Sequence, residues 1–279
     1  MTTITLSGWI EALTPIQHGG DEKTGSVPVL RSIQIWERQM QQHVRLPFIS
    51  GNAIRGMLRR LCMHDLLRRL GLTAPPKLYH ALFTGGILES TAGEAGGEID
   101  LALRRVIRDT LPPLALFGTA VGNQNIQGSL KVDHAMPVCR EYADYLGVVP
   151  DIAGARIQHS IRTFTDVSFA TRRDDLRAER AEDEQARQML IEFEAFVPGA
   201  LFVHGFTLVY PSELEMACLG HILTLWREQP YLGGKSASGY GRVRFEYQPA
   251  LDPAPYAQFV ADYGDDMRQV LQVLGERLG

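Results

Sequence analysis

The residues best placed by type and spacing to do chemistry lie in two short stretches. The first is Pro47-Phe48-Ile49-Ser50-Gly51-Asn52-Ala53-Ile54-Arg55-Gly56. A Ser-Gly-Asn turn opening straight into a helix offers free backbone N–H groups and the positive end of a helix dipole, which together attract an anion. Arg55 in the first turn and Arg59 four residues on share a helix face and would add charge-assisted hydrogen bonds. Ordinary helix capping with solvated arginines is the other reading. The second stretch is Leu232-Gly233-Gly234-Lys235-Ser236-Ala237-Ser238-Gly239-Tyr240-Gly241-Arg242. Its Gly234-Lys235-Ser236 looks like part of a nucleotide-binding P-loop, but that motif needs a glycine where Gln229 stands, and a strand follows instead of a helix. Four glycines with Lys235, Ser236, Ser238 and Tyr240 still make a loop whose backbone can approach a polyanion closely. A plain hairpin is the alternative.

Other chemistries are poorly served. Cys218-x-x-His221 has no second ligand pair nearby and suits the packed side of a helix. His64-Asp65 resembles half of a metal-phosphohydrolase site without the other half. No Gly-x-Ser-x-Gly or His-Glu-x-x-His occurs. No catalytic residue, metal ligand or cofactor is therefore assigned. Cys62, Cys139 and Cys218 stand far apart in sequence, which argues against a disulfide framework and fits a reducing cytoplasm. The start Met1-Thr2-Thr3-Ile4-Thr5-Leu6 lacks the basic and apolar regions of a signal peptide, and no apolar run reaches the roughly 18 residues of a membrane span.

Charge sharpens the picture. The net charge of −4 argues against a polyanionic partner. The distribution argues the other way. Between Arg31 and Arg69 stand eight arginines (Arg31, Arg38, Arg45, Arg55, Arg59, Arg60, Arg68, Arg69) against only Glu37 and Asp65. Acidic residues gather at 179–194 and beyond Asp252. Only four of the 28 basic residues are lysine, and arginine's planar fork suits phosphate better than lysine's point charge. A GC-rich genome also replaces lysine with arginine, so the clustering carries more than the count.

These stretches need elements to hold them. Alternation predicts strands over 4–13, 27–35, 129–133, 200–210 and 242–247, the last closing the fold. Helical spacing of Ile54, Met57, Leu58, Leu61, Leu66 and Leu70 predicts a helix over 53–70, stopped by Gly71. Further helices are expected over 101–110 and 214–226, loops over 15–26 and 84–97, and a segment over 178–194 that starts helical and turns strand-like. Residues 156–175 show no clear core face. Strands and helices mix without a regular βαβ beat, which predicts an α+β fold around an antiparallel sheet. One domain over 1–279 is expected, with insertions at about 72–115 and about 137–192.

Taken together, several blocks resemble the RAMP superfamily of CRISPR proteins. They are the opening strand, His18-Gly19-Gly20, Pro28-Val29-Leu30-Arg31 and Pro47 through Arg55 with Leu58-Arg59. Leu116-Phe117-Gly118, Gly128-Ser129-Leu130-Lys131-Val132-Asp133, Arg162-x-x-x-Asp166, the stretch 169–173, Phe193-Glu194, Pro198-Gly199-Ala200-Leu201-Phe202 and the loop 232–242 follow in the family's order. Within the superfamily the chain is most similar to backbone subunits that bind CRISPR RNA (crRNA), first those of type IV, next those of type I-D. The resemblance implies an RRM-like (ferredoxin-like) antiparallel palm with inserted finger and thumb elements. It also implies partners: crRNA, further copies of the same chain in a helical filament, other effector subunits, and target DNA or RNA reached by guide pairing. No membrane partner is implied.

On that reading Arg31, Arg55, Arg59 and Lys235 hold phosphates, and Asn52, Gln124, Gln127, Ser236 and Ser238 bond ribose or phosphate. Phe164, Phe169, Arg172 and Arg173 belong to the thumb, where aromatics wedge against bases, and His18 joins from the first loop. RNA-cleaving relatives carry an Asp two residues before the proline of Pro28-Val29-Leu30-Arg31. Here Ser26 stands there, and serine cannot replace a carboxylate as base or metal ligand. Asp21, nearby in the same loop, is the one substitute considered. A non-catalytic scaffold is expected; the alternative is an endoribonuclease of the same superfamily that processes CRISPR RNA or cuts target RNA.

Overall fold

The computed structural model describes residues 2–24, 27–86, 100–121, 124–147, 150–173 and 188–278. In chain order its elements begin with strands β1 (Ile4–Ala12), β2 (Gly19–Thr24), β3 (Val27–Leu30), β4 (Ser32–Glu37) and β5 (Gln42–Pro47). Helices α1 (Gly51–Leu70), α2 (Pro76–Phe83), α3 (Leu101–Thr110) and α4 (Pro112–Phe117) follow. Short strands β6 (Thr119–Val121), β7 (Gln124–Ile126), β8 (Leu130–Val132) and β9 (Met136–Pro137) lead into three 3-10 turns between residues 140 and 164. The chain ends with β10 (Thr165–Arg173), β11 (Gln188–Phe196), β12 (Leu201–Leu208), α5 (Glu213–Glu228), β13 (Val243–Gln248), α6 (Ala254–Asp262) and α7 (Gly264–Leu278).

The palm is an antiparallel sheet in the order β13-β1-β12-β8, with β9 also on β12. Alternation in β1 and β12 decides which face is dry, because successive side chains point to opposite sides. Leu6 pairs with Phe206 and Ile10 with Phe202, and all four are fully buried. The helices cover this face; Trp226 of α5 stacks on Phe245 at 3.9 Å. The α+β fold with an RRM-like antiparallel sheet is thus present.

The other face carries a buried charge. Glu11 on β1 accepts from Nη2 of Arg156 at 2.7 Å and from Nε of Arg244 on β13. Arg156 also donates to the carbonyls of Gly199 and Ile152, at 2.8 and 2.7 Å. One carboxylate so ties the 3-10 turns below the arm to the sheet. A second, Glu141, holds those turns to each other by accepting from Ser160 Oγ and the Ile161 N–H. Beyond them β10 and β11 pair from Thr165↔Phe196 out to Arg173↔Gln188 and form an arm.

Several expectations need correction. The strand expected over 27–35 is two, β3 and β4, separated at Arg31, whose N–H and carbonyl bond His18 and Phe48. β4 then pairs with β5, a hairpin that the charged 38–45 stretch obscured. Residues 112–117 form α4, every residue of which is buried, so the inserted segment at about 72–115 also contributes to the core. β13 does not close the fold: α6 and α7 follow, with Met267, Leu271 and Leu274 buried at helical spacing. Arg268 of α7 donates to the Leu70 carbonyl at 2.8 Å, satisfying an acceptor at the end of α1. Most of the loop expected over 84–97, and the helical start expected at 178, lie outside the described residues. Among the described residues no helix is long and apolar enough to cross a membrane.

The Glu11 clamp gives a first prediction. Glu11→Ala leaves two arginines without their shared acceptor, and loss of hydrogen bonds to a charged group should cost about 2 kcal/mol. Denaturant unfolding should show this loss, with Glu11→Gln in between; an unchanged midpoint in Glu11→Ala would contradict the clamp.

Candidate nucleic-acid interface

α1 starts where the sequence signals place it, yet its amides are not free. Ser50 is the N-cap, and its Oγ accepts from the Ala53 N–H at 3.3 Å. The Ser50 N–H donates to Nε2 of His18 at 3.2 Å, and the Gly51 N–H donates to Nδ1 of His134 at 3.0 Å. The expected anion site built from open backbone N–H groups is therefore largely filled by two imidazoles. Gly51 is glycine for a packing reason: a Cβ there would lie 2.4 Å from the Val132 and Asp133 carbonyl oxygens. The start of α1 is pressed onto the turn between β8 and β9.

The cations beside this start serve two purposes. Arg59 is buried. Its Nε donates to the Leu82 carbonyl at 2.6 Å and its Nη2 to the Gly118 carbonyl, with the guanidinium 5.7 Å from the centre of the Phe117 ring. Burial, with the charge of Arg55 adding, pulls its pKa down to about 10. The expectation of a free phosphate grip at Arg59 is corrected here, because two of its nitrogens brace the backbone. Arg55 is half-buried: Nη2 donates to the Phe117 carbonyl, while its buried Nε has no partner among the described residues. Burial lowers its pKa as well.

Two clefts meet on these residues. One is lined by His18, Asn52, Arg55, Arg59, Arg60, Phe83, Tyr231, Gly233, Gly234 and Ser236 among others. The second adds Asn125, Gln127, Gly128 and Lys131. Both share Asn52, Arg55, Arg59 and Thr84, so they form one groove across the first turns of α1. No Asp or Glu side chain is among the described residues lining it. The glycine loop reaches the groove because it rests on Gln17: the Gly234 N–H donates to the Gln17 carbonyl at 2.8 Å. Gly233, at φ 86°, lies too close to that carbonyl for a side chain.

The groove brings together His18, Asn52, Arg55, Arg59, Gln127 and Ser236 from four separate stretches. Arg31 adjoins it through His18. Lys235 sits in the left-handed region at φ 62°, its Nζ 4.6 Å from the centre of the Phe193 ring, and Ser238 follows on the exposed side of the loop. Phe169 is exposed on the arm and does not line the groove. Phe164 departs from expectation, since it is half-buried against the core and is not a free wedge. The side chains of Gln124, Arg172, Arg173 and Asp21 lie outside the described residues, as does Ser26.

Sequence reasoning missed Arg60, Lys131, Asn125 and Tyr231 as groove residues. Arg60 and Lys131 are exposed and without a partner among the described residues. Of the discarded motifs, Asp65 is buried and accepts from His221 at 2.7 Å and from Arg68 and Arg69. That pair joins α1 to α5, which explains Cys218-x-x-His221 as packing too. Cys62 and Cys218, distant in sequence, are both buried on these two helices.

His18 supplies a pH prediction. Burial, then the charge of Arg31, lowers its pKa from 6.5 to about 4, keeping Nε2 free to accept. The unfolded chain binds this proton more readily between those values, so stability falls as pH drops from about 6.5 to 4. His18→Gln should flatten the fall in that window. Parallel denaturation curves for both proteins across the window would argue against the neutral cap.

Comparison with known proteins bears on the fold and the family. The chain has no match among curated proteins. A solved chain from a structure titled "Type IV-B CRISPR Complex" superposes with a TM-score of 0.63 at 21% identity, covering 88% of this chain and 91% of that one. At such identity the likeness is one of fold. The family model of the RAMP superfamily matches residues 9–244, a span from β1 to β13 that contains the groove. The chain belongs to the RAMP superfamily.

Proposed function

We propose that this chain is a cytoplasmic crRNA-binding backbone subunit of a CRISPR effector ribonucleoprotein, most similar to those of type IV. The observation that carries the reading is the charge of the groove. In a chain of net charge −4, the groove is lined by Arg55, Arg60, Lys131 and the built-in Arg59, with no carboxylate among its described lining. Such a surface suits a polyanion. Asn52, Asn125, Gln127, Ser236 and Ser238 supply neutral hydrogen-bonding groups for ribose and phosphate, and these contacts position a strand without reading its sequence. The bases stay available for pairing with target DNA or RNA, so recognition of the target is left to the guide.

Copies are proposed to repeat along the guide with other effector subunits, each arm of β10 and β11 laying Phe169 against the strand, with Arg172 and Arg173 following it in sequence. Cutting is not proposed. Ser26 stands where cleaving relatives have Asp, and a hydroxyl supplies neither the base nor the metal ligand that in-line attack requires. The likeness in shape to a chain from a CRISPR complex supports assembly with such subunits.

Size exclusion with and without RNase tests the assembly: large, RNA-containing particles should shrink on nuclease treatment. A nuclease-insensitive monomer free of RNA would refute it. Arg55→Ala or Lys235→Ala should weaken guide binding by about 1–3 kcal/mol for unrelated spacers alike and lower the salt slope by about one. A loss that depends strongly on sequence would contradict the phosphate role.

Guide-loaded complex is further expected to leave end-labelled complementary RNA intact in magnesium or manganese. Regularly spaced fragments would favour the cleaving alternative, and their loss in Asp21→Ala would identify the residue responsible.

A further inference from the structure

One groove residue does nothing that charge explains. Tyr231 lines the groove together with Asn52, Arg55, Arg60 and Ser236. It is 42% exposed. Among the described residues its ring meets no other ring and no cation, and its hydroxyl has no hydrogen-bond partner. Its backbone, by contrast, is held firmly. The Tyr231 N–H donates to the Gln229 carbonyl at 2.8 Å, and Tyr231 bridges to Arg242. Leu232 beside it is buried, and its N–H donates to the Gly241 carbonyl at 2.8 Å. Val243 likewise bonds the Pro230 carbonyl. The core contact of this segment is therefore made by Leu232, and Tyr231 is left as a rigidly mounted aromatic in a groove of cations.

We infer that Tyr231 is a stacking platform for one unpaired nucleobase of the strand whose phosphates occupy the groove. The inference rests on the RNA-binding reading and adds to it a subsite for the base. Every base has a π-face, so a single phenol ring accepts any of the four. Arg55 and Arg60 meet the phosphate end of the nucleotide and Tyr231 meets the base end. Neither contact reads sequence, as a scaffold for arbitrary guides requires. A tyrosine is suited to this because only two side-chain torsions must be fixed on binding.

The test uses full-length protein and two labelled RNA oligomers of about ten nucleotides, within the range of one binding unit. One carries all its bases; the other is abasic throughout. Wild type should prefer the intact oligomer. Tyr231→Ala should bind the intact oligomer about tenfold more weakly and the abasic one nearly as before, while Tyr231→Phe stays within about twofold of wild type on both. Unchanged melting temperatures confirm that the exposed substitution leaves the fold intact. Equal loss on both oligomers, or no loss on either, would overturn the stacking role. Arg55→Ala serves as the reference, since a phosphate contact is lost on both oligomers alike. If wild type binds both oligomers equally well, the groove reading stands and the platform falls. If wild type binds neither, both fall together.

Discussion

A guanidinium taken out of water must find acceptors, and the way α1 meets that demand shapes the groove. Arg59 takes the carbonyl of Leu82 in the last turn of α2 and that of Gly118 just after α4. Arg55 takes the neighbouring Phe117 carbonyl. Two arginines one turn apart therefore hang the ends of two other helices on the first turns of α1. The two clefts meet at these same residues, so the groove exists because the bracing does. Its cations are partly structural for the same reason: their N–H groups satisfy backbone carbonyls at this place.

The histidines complete the arrangement from the other side. His18 precedes β2 and His134 lies between β8 and β9, and each caps one amide at the start of α1. Three distant segments are pinned at one point by neutral hydrogen bonds. The positive character of the site thus comes mainly from side chains that can reach along a strand, not from a fixed pocket of amides. A fixed pocket would suit a single phosphate; a line of cations suits an extended polymer.

Much of this was legible in the sequence, and the exceptions have physical reasons. α1 shows helical periodicity because one face is buried, whereas α5 and β12 are legible as near-continuous apolar runs, buried on most sides. Asn52 and Arg55 were legible because helix-start signals are local. The bracing role of Arg59 was not, because its acceptors are backbone carbonyls 23 and 59 residues away. α7 was missed for another reason. Met267, Leu271 and Leu274 keep helical spacing, but Asp265, Asp266, Arg268, Glu276 and Arg277 give the segment the pattern of a solvated charged stretch. Lys131 lies within the stretch 128–133 and Tyr231 adjoins the stretch 232–242, so membership of or proximity to those motifs was the available signal. No local pattern could report that Asp65 and His221 meet, since that contact depends on how two whole helices pack.

Arg55 is held at one nitrogen and unpartnered at another. A side chain already tethered has little rotamer freedom left to lose when it meets a phosphate, so capture involves little further ordering. From Asp252 onward the chain carries five carboxylates against two arginines, so that side offers a polyanion less attraction than the groove does. The consequence is kinetic. A strand drifting toward this protein would be turned toward the groove by the field before contact, at a rate set by ionic strength. How long it then stays would depend on how many nucleotides are gripped at once, because release of a polymer requires all of its contacts to be open together.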